Sequence, residues 1–200
     1  MASTFQRSKI ELVFRAMDTD GDGRLRESDF AALARRWASV RAARPTTADH
    51  TTADHTAGDH EAADRAAVGD EERLSGIMHG WWGTLAGRAR DPESVTVDDV
   101  LTVVDLLGQM PGAVTATAEA MFEAVDEDGD GRISPAEYRR MIEAWNGRPT
   151  DTTAAFTRLD LDADGTISRA EFTGHWTEFW AGDDPAAPGS HVFGEPAASG

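Results

Sequence analysis

The chain has no cysteine in 200 residues. That excludes disulfides and thiolate metal sites, and it suits a reducing compartment. Lysine is nearly absent too: Lys9 stands alone among nineteen basic residues. With a formal charge of −17, the chain offers nothing to attract nucleic acid, and none is expected as a partner. No apolar run approaches the roughly 20 residues that span a bilayer, so no membrane span is expected. Met1 to Arg15 has no signal-peptide pattern; it is amphipathic, with Ser3-x-x-Gln6 as a helix cap. A cytoplasmic protein is the expectation. There is no nucleophile elbow, P-loop or dinucleotide fingerprint, so no enzymatic activity is expected.

Acid is what the chain has in excess, with 36 Asp and Glu. Twelve of them occupy the repeating positions of one twelve-residue pattern present in three copies: Asp18 to Asp29, Asp126 to Glu137 and Asp160 to Glu171. Each copy places carboxylates at positions 1, 3, 5 and 12, Gly at 6, and Leu or Ile at 8. This is the pattern of the EF-hand calcium loop. Ca²⁺ takes about six to eight oxygens at roughly 2.3–2.6 Å, and carboxylates at alternating positions of a turning loop converge on one point. Position 7 adds a backbone carbonyl. The candidate ligands are therefore Asp18, Asp20, Asp22, Arg24 (carbonyl) and Asp29 in the first loop. The next copy offers Asp126, Asp128, Asp130, Arg132 (carbonyl) and Glu137, and the last Asp160, Asp162, Asp164, Thr166 (carbonyl) and Glu171. Gly23, Gly131 and Gly165 stand where the chain must turn with positive φ.

Position 12 separates the copies. Glu137 and Glu171 are long enough to give the metal both oxygens, whereas Asp29 is one methylene shorter. A lost oxygen weakens Ca²⁺ and favours the smaller, six-coordinate Mg²⁺. The first loop is expected to be the weakest, or a mixed Ca²⁺/Mg²⁺ site.

The flanks repeat as well. Phe14 and Met17, Phe122 and Val125, Phe156 and Leu159 precede the loops at −4 and −1, on one helical face. Phe30, Tyr138 and Phe172 follow at position 13, with Trp37, Trp145 and Phe179 two turns later. Ser134-x-x-Glu137 and Ser168-x-x-Glu171 are capping boxes; Arg26 denies one to the first unit.

Such loops pair through a backbone bridge at position 8, so the first needs a partner. Val95 at position 8, Asp99 at position 12, the cap Thr96-x-x-Asp99, and Val100 with Leu107 supply it. Counting back puts Arg88, Arg90, Pro92 and Glu93 at positions 1, 3, 5 and 6, a loop without metal ligands. The entering helix fits one residue later, with Leu85 at −4 and Trp81 at −8, which would make this loop one residue short. Glycines 76, 80, 83 and 87 either allow close packing of that helix near Trp81 and Trp82 or fray it.

Between units one and two lies an insert at about 41–70 carrying Asp-His50, Asp-His55, Asp-His60 and Asp-Arg65 in a degenerate five-residue repeat. Helical residues five apart do not share a face, so the histidines are expected to be a solvated, disordered or loosely helical linker and not a metal site. The expected organisation is a first pair over 5–110 (unit one 5–38, unit two 74–110), a second pair over 113–181, and a Pro/Gly-rich tail over 182–200. In the tail, Val192-Phe193 either docks onto the domain or stays unstructured. The expected fold is all-α, with four units in two pairs packed as one compact domain and short β-bridges between paired loops.

Four units with the second degenerate, a long gap between the first two loops, and aromatic-rich helices resemble the calerythrin and sarcoplasmic calcium-binding protein family. The resemblance covers about residues 5–180 without the insert. It implies a compact, cup-shaped protein that buffers or transports calcium through the loop residues named above. The alternative is a sensor that opens on Ca²⁺ and grips a target protein helix. Sensors favour Met-rich grooves, whereas six tryptophans favour a rigid, filled core. A monomeric calcium buffer is the leading expectation.

Overall fold

The computed structural model describes residues 3–43, 57–107 and 111–194, apart from the side chains of 57–68, 70 and 111. Eight α-helices follow in order: α1 (Thr4–Met17), α2 (Glu27–Ala42), α3 (Ala57–Ala86), α4 (Val97–Leu107), α5 (Pro111–Val125), α6 (Pro135–Asn146), α7 (Thr153–Leu159) and α8 (Arg169–Ala181). Two short strands, β1 (Arg132–Ile133) and β2 (Ile167–Ser168), pair antiparallel, and a 3-10 turn occupies Pro188–His191. Among these residues no single helix is long and apolar enough to cross a membrane.

The starts and stops follow local chemistry. Ser3 caps α1 by accepting the Gln6 N–H at 3.0 Å. Ser134 and Ser168 form both halves of their capping boxes with Glu137 and Glu171. The first unit keeps half a box. Arg26 N–H donates to Asp29 Oδ2 at 2.8 Å, but a guanidinium has no acceptor for the return bond, and the Asp29 N–H turns to the Arg26 carbonyl at 3.0 Å. The flanking apolar residues at −4, −1 and position 13, and the three aromatics two turns later, are all buried.

Position 8 pairs the loops as the spacing requires. Leu25 and Val95 exchange backbone hydrogen bonds of 2.8 and 2.9 Å. Ile133 faces Ile167 across β1 and β2. The second unit is therefore a true partner of the first, and it is one residue short. In the other three units the N–H of position 1 (Asp18, Asp126, Asp160) donates to the carbonyl four residues back. Here Ala89 donates to Leu85 at 3.0 Å, so the loop runs from Ala89 to Asp99.

The glycines of α3 do not serve close packing. Nothing lies within 4 Å of where a Cβ would stand at Gly76, Gly80 or Gly83. They lie on the exposed face, opposite Leu74, Met78 and Trp82, and the helix runs through them unbroken. Each glycine costs about 1 kcal/mol of helix stability relative to Ala, which burial of the other face offsets. Residues 57–70 of the insert are helical, as the start of α3. His50, His55 and the His60 side chain lie outside the described residues.

Basic residues of the first pair cap helix ends of the second. Arg36 on α2 donates to the carbonyls of Ala144 and Trp145 at the end of α6, the latter at 2.7 Å. Arg41 on α2 donates to Ala124 O of α5 at 2.7 Å and pairs with Glu127 at 3.2 Å. Lys9 on α1 is buried, with its ammonium on the carbonyls of Glu178, Phe179 and Gly182 at 3.1, 2.8 and 2.9 Å. Terminal carbonyls lack intrahelical partners and carry the negative end of the helix dipole, so each cation supplies donors and charge together. Trp81 of α3 adds an apolar link, meeting Trp145, Trp176 and Trp180 at 5.6–6.2 Å between centroids.

Burial pushes Lys9 down to about 8, against attraction from Asp183 and Glu178. Between about pH 8 and 10.5 the unfolded chain therefore holds the proton more tightly, and this residue's contribution to stability rises with pH across that window. Chemical denaturation at pH 8 and pH 10 should show this rise relative to Lys9→Met, which has no such proton to release. An equal change in both proteins would exclude the effect.

The tail docks. Val192 and Phe193 are buried, Phe193 lies 4.8 Å from Trp145 and 4.9 Å from Phe179, and the Tyr138 hydroxyl donates to Val192 O at 2.8 Å. The segment lies against α6, α7 and α8.

Candidate metal centres

Each acidic loop turns on residues with positive φ. Position 6 holds Gly23, Gly131 and Gly165 at 77°, 82° and 89°. Position 4 makes the same demand: Gly21 and Gly129 meet it freely, whereas Ala163 at 57° sits where a side chain is rarely accommodated. The position-6 N–H donates to the first carboxylate of its loop, at 2.9 Å for Gly23 to Asp18, 3.0 Å for Gly131 to Asp126 and 2.9 Å for Gly165 to Asp160. These bonds aim the carboxylates inward before any ion arrives.

Three clusters result, each with ligand atoms within 4.8 Å of one another: Asp18, Asp20 and Asp22; Asp126, Asp128 and Glu137; Asp160, Asp162 and Glu171. Hard carboxylate oxygens without nitrogen or sulfur suit Ca²⁺ or Mg²⁺. The second and third clusters include the long position-12 glutamate. The first does not include Asp29, in keeping with its shorter side chain. Asp29 is buried and satisfied by the protein: Oδ1 accepts the Thr19 hydroxyl at 2.6 Å and the Thr19 N–H at 3.2 Å, while Oδ2 accepts Arg26 N–H.

Arg26 already occupies part of the first cluster. Its guanidinium pairs with Asp22 at 2.6 Å and lies 3.9 Å from Asp20, and this hydrogen bond holds the Asp22 carboxyl below the usual range. A cation must displace that charge to use both aspartates. Arg26→Ser removes the competitor and supplies the cap found at Ser134 and Ser168. The first site should tighten by roughly tenfold, from lost repulsion and a restored cap. Calorimetric titration reads the change, and an unchanged weakest step would exclude the competition.

Asp130 and Asp164, at position 5, lie outside the two later clusters. Asp130 accepts Arg132 N–H at 2.8 Å, and Asp164 pairs with the Arg132 guanidinium across the loop–loop interface. Arg132 also donates to Thr166 at 2.9 Å, and Arg24 donates to Ser94 of its partner loop at 2.7 Å. The position-7 side chain thus ties paired loops together in both halves, a role the loop pattern does not reveal. The signal was an Arg at position 7 of one loop with Ser or Thr at position 7 of its partner.

The second unit shows the frame without the metal chemistry. Asp99 Oδ2 accepts Thr96 N–H at 3.0 Å and its hydroxyl at 2.6 Å, while Oδ1 accepts Arg90 N–H at 3.4 Å. Burial works to raise this carboxyl, but those bonds and the Arg90 charge hold it low. Among the described residues no acidic cluster forms in this loop.

Four helix–loop–helix units, paired at position 8, now stand beside known proteins. The EF-hand domain pair family matches over residues 2–36 and again over 115–177. The chain is an EF-hand protein. Its fold is similar to coelenterazine-binding protein from Renilla muelleri in the calcium-loaded apo form, at TM-score 0.69 and 20% identity over 97% of this chain and 99% of that one. The sarcoplasmic calcium-binding protein from amphioxus is similar at TM-score 0.63 and 16% identity, covering 98% and 99%. A Streptomyces coelicolor calcium-binding protein, described in prokaryotic calcium-mediated regulation, matches at 0.60 and 22%, covering 90% and 99%. No curated protein sequence matches. At these identities the structural likeness speaks for the fold, and this EF-hand chain's own residues must carry the rest.

Proposed function

We propose that this EF-hand protein is a monomeric calcium buffer with three ion sites and no catalytic role. The first is built from Asp18, Asp20, Asp22, the Arg24 carbonyl and Asp29. The second uses Asp126, Asp128, Asp130, the Arg132 carbonyl and Glu137. The third uses Asp160, Asp162, Asp164, the Thr166 carbonyl and Glu171. Position-5 aspartates rotate in from their present partners when the ion arrives. The first site accepts Mg²⁺ as readily as Ca²⁺. Four carboxylates crowded at each site repel one another, so binding stabilises the fold; three divalent ions take the formal charge from −17 to about −11.

The observation that carries buffering over sensing is the docked tail. A sensor exposes an apolar groove to a target helix. Here Val192 and Phe193 already fill the space beside α6, α7 and α8, and α8 lies across the first pair through Lys9 and Trp81. Two pairs bound by buried cationic caps have little freedom to open. In this reading the pairs are residues 5–110 and 113–181, and 182–194 serves as a built-in cover.

Hydrophobic dye binding tests this reading. Exchange of Mg²⁺ for Ca²⁺ should change dye fluorescence little. A large Ca²⁺-specific rise would make the protein a sensor that engages a target helix.

A further inference from the structure

The two pairs treat their apolar faces differently. The second is filled by the tail. The first encloses an open-mouthed cavity of about 100 Å³. Val13 of α1, Leu85 of α3 and Val103 of α4 line it from the first pair, and Trp176 and Trp180 of α8 close it from the other side, with Trp81 between them. Protein interiors hold few voids larger than a water molecule, so a space of this size is a departure from ordinary packing.

Its wall defines the occupant. Among the described residues no charged side chain lines it; the hydroxyls of Thr84 and Thr117 are already bonded, and the Trp180 indole N–H is the one buried lining donor that lacks a partner. Thr84 donates to Gly80 O at 2.9 Å; Thr117 donates to Val114 O at 2.8 Å and accepts the Trp176 indole N–H at 3.1 Å. A water needs two to four polar partners, so an apolar cavity stays dry; one of roughly 150 Å³ in another protein binds benzene. A target helix, about 10–12 Å across, is too wide for a space already roofed by α5 and α8. Three indole rings favour a flat partner that can stack or meet them edge-on.

We propose that this cavity binds a small, uncharged aromatic molecule of a single ring, independently of the calcium loops. The test uses the calcium-loaded protein and fluorobenzene, followed by fluorine NMR and by tryptophan fluorescence. Wild type should bind one equivalent saturably, with a change in tryptophan emission that tracks occupancy. Val103→Phe and, separately, Thr84→Phe place a ring in the space and should each weaken binding by at least roughly tenfold, with calcium stoichiometry unchanged. Non-saturable partitioning into wild type overturns the proposal without any variant. So does saturable binding that both filled variants retain at wild-type strength. Failure of calcium buffering would appear in the dye experiment and leave this result untouched.

Discussion

Replacing Glu171 with Gln should lower calcium affinity at the fourth loop by on the order of 100-fold, because position 12 supplies two of the oxygens in the shell. Glu171 closes a cluster with Asp160 and Asp162, and its carboxylate is oriented by N–H groups at both ends of the loop: Leu161 at 2.9 Å and Ser168 at 2.8 Å. Gln preserves shape and one oxygen. Its amide nitrogen would face either the cation or one of those N–H donors, and both contacts are repulsive. The affected step should also lose its share of metal-induced stabilisation. Titration calorimetry should show one strong step converted to a weak one, with Glu137→Gln doing the same at the third loop. Asp18→Asn should remove only the weakest step. If Glu171→Gln removed the weakest step and Asp18→Asn a strong one, the ranking of sites would be wrong.

Phe193→Ala should destabilise the calcium-loaded protein by about 3–5 kcal/mol, the usual cost of emptying a buried aromatic site. Phe193 is 4% exposed and packs against Trp145, Phe179 and Trp176 at 4.8, 4.9 and 5.8 Å. At roughly 2–4 °C per kcal/mol for a chain of this size, the melting temperature falls by about 10 °C. Dye binding should rise, because the vacated groove is apolar. Gly189→Ala should reproduce both effects by a separate route: a Cβ there would stand 2.4 Å from the His175 carbonyl of α8, so the tail could not cross the helix. Unchanged melting in both variants would mean that the tail is not a structural cover.

The three acidic clusters were legible because they are local. Spacing within twelve residues fixes which oxygens converge, and the shortness of Asp29 showed in its sequence before it showed in its absence from the carboxylate cluster. The degenerate second unit was legible through Val95 and Asp99, since the position-8 bridge and the position-12 cap survive when the metal ligands are lost. Its missing residue was legible from the Leu85 spacing, and the Ala89–Leu85 bond places it. Contacts between distant segments were not legible. Nothing around Lys9, Arg36 or Arg41 says that each will meet the end of a helix more than eighty positions away. The pairing of Arg26 with Asp22 needed its side-chain direction, and the glycines of α3 needed to be seen on the open face. The apolar pair Val192-Phe193 left docking and an unstructured end equally open, because its groove exists only once α6, α7 and α8 are assembled.

Calcium titration of the metal-free protein by calorimetry, repeated in excess Mg²⁺, tests the central claim most directly. Three ions should bind, two tightly in either condition and one weakly, with the weak step suppressed by Mg²⁺. Two ions or four, or three steps equally indifferent to Mg²⁺, would contradict the assignment of the loops.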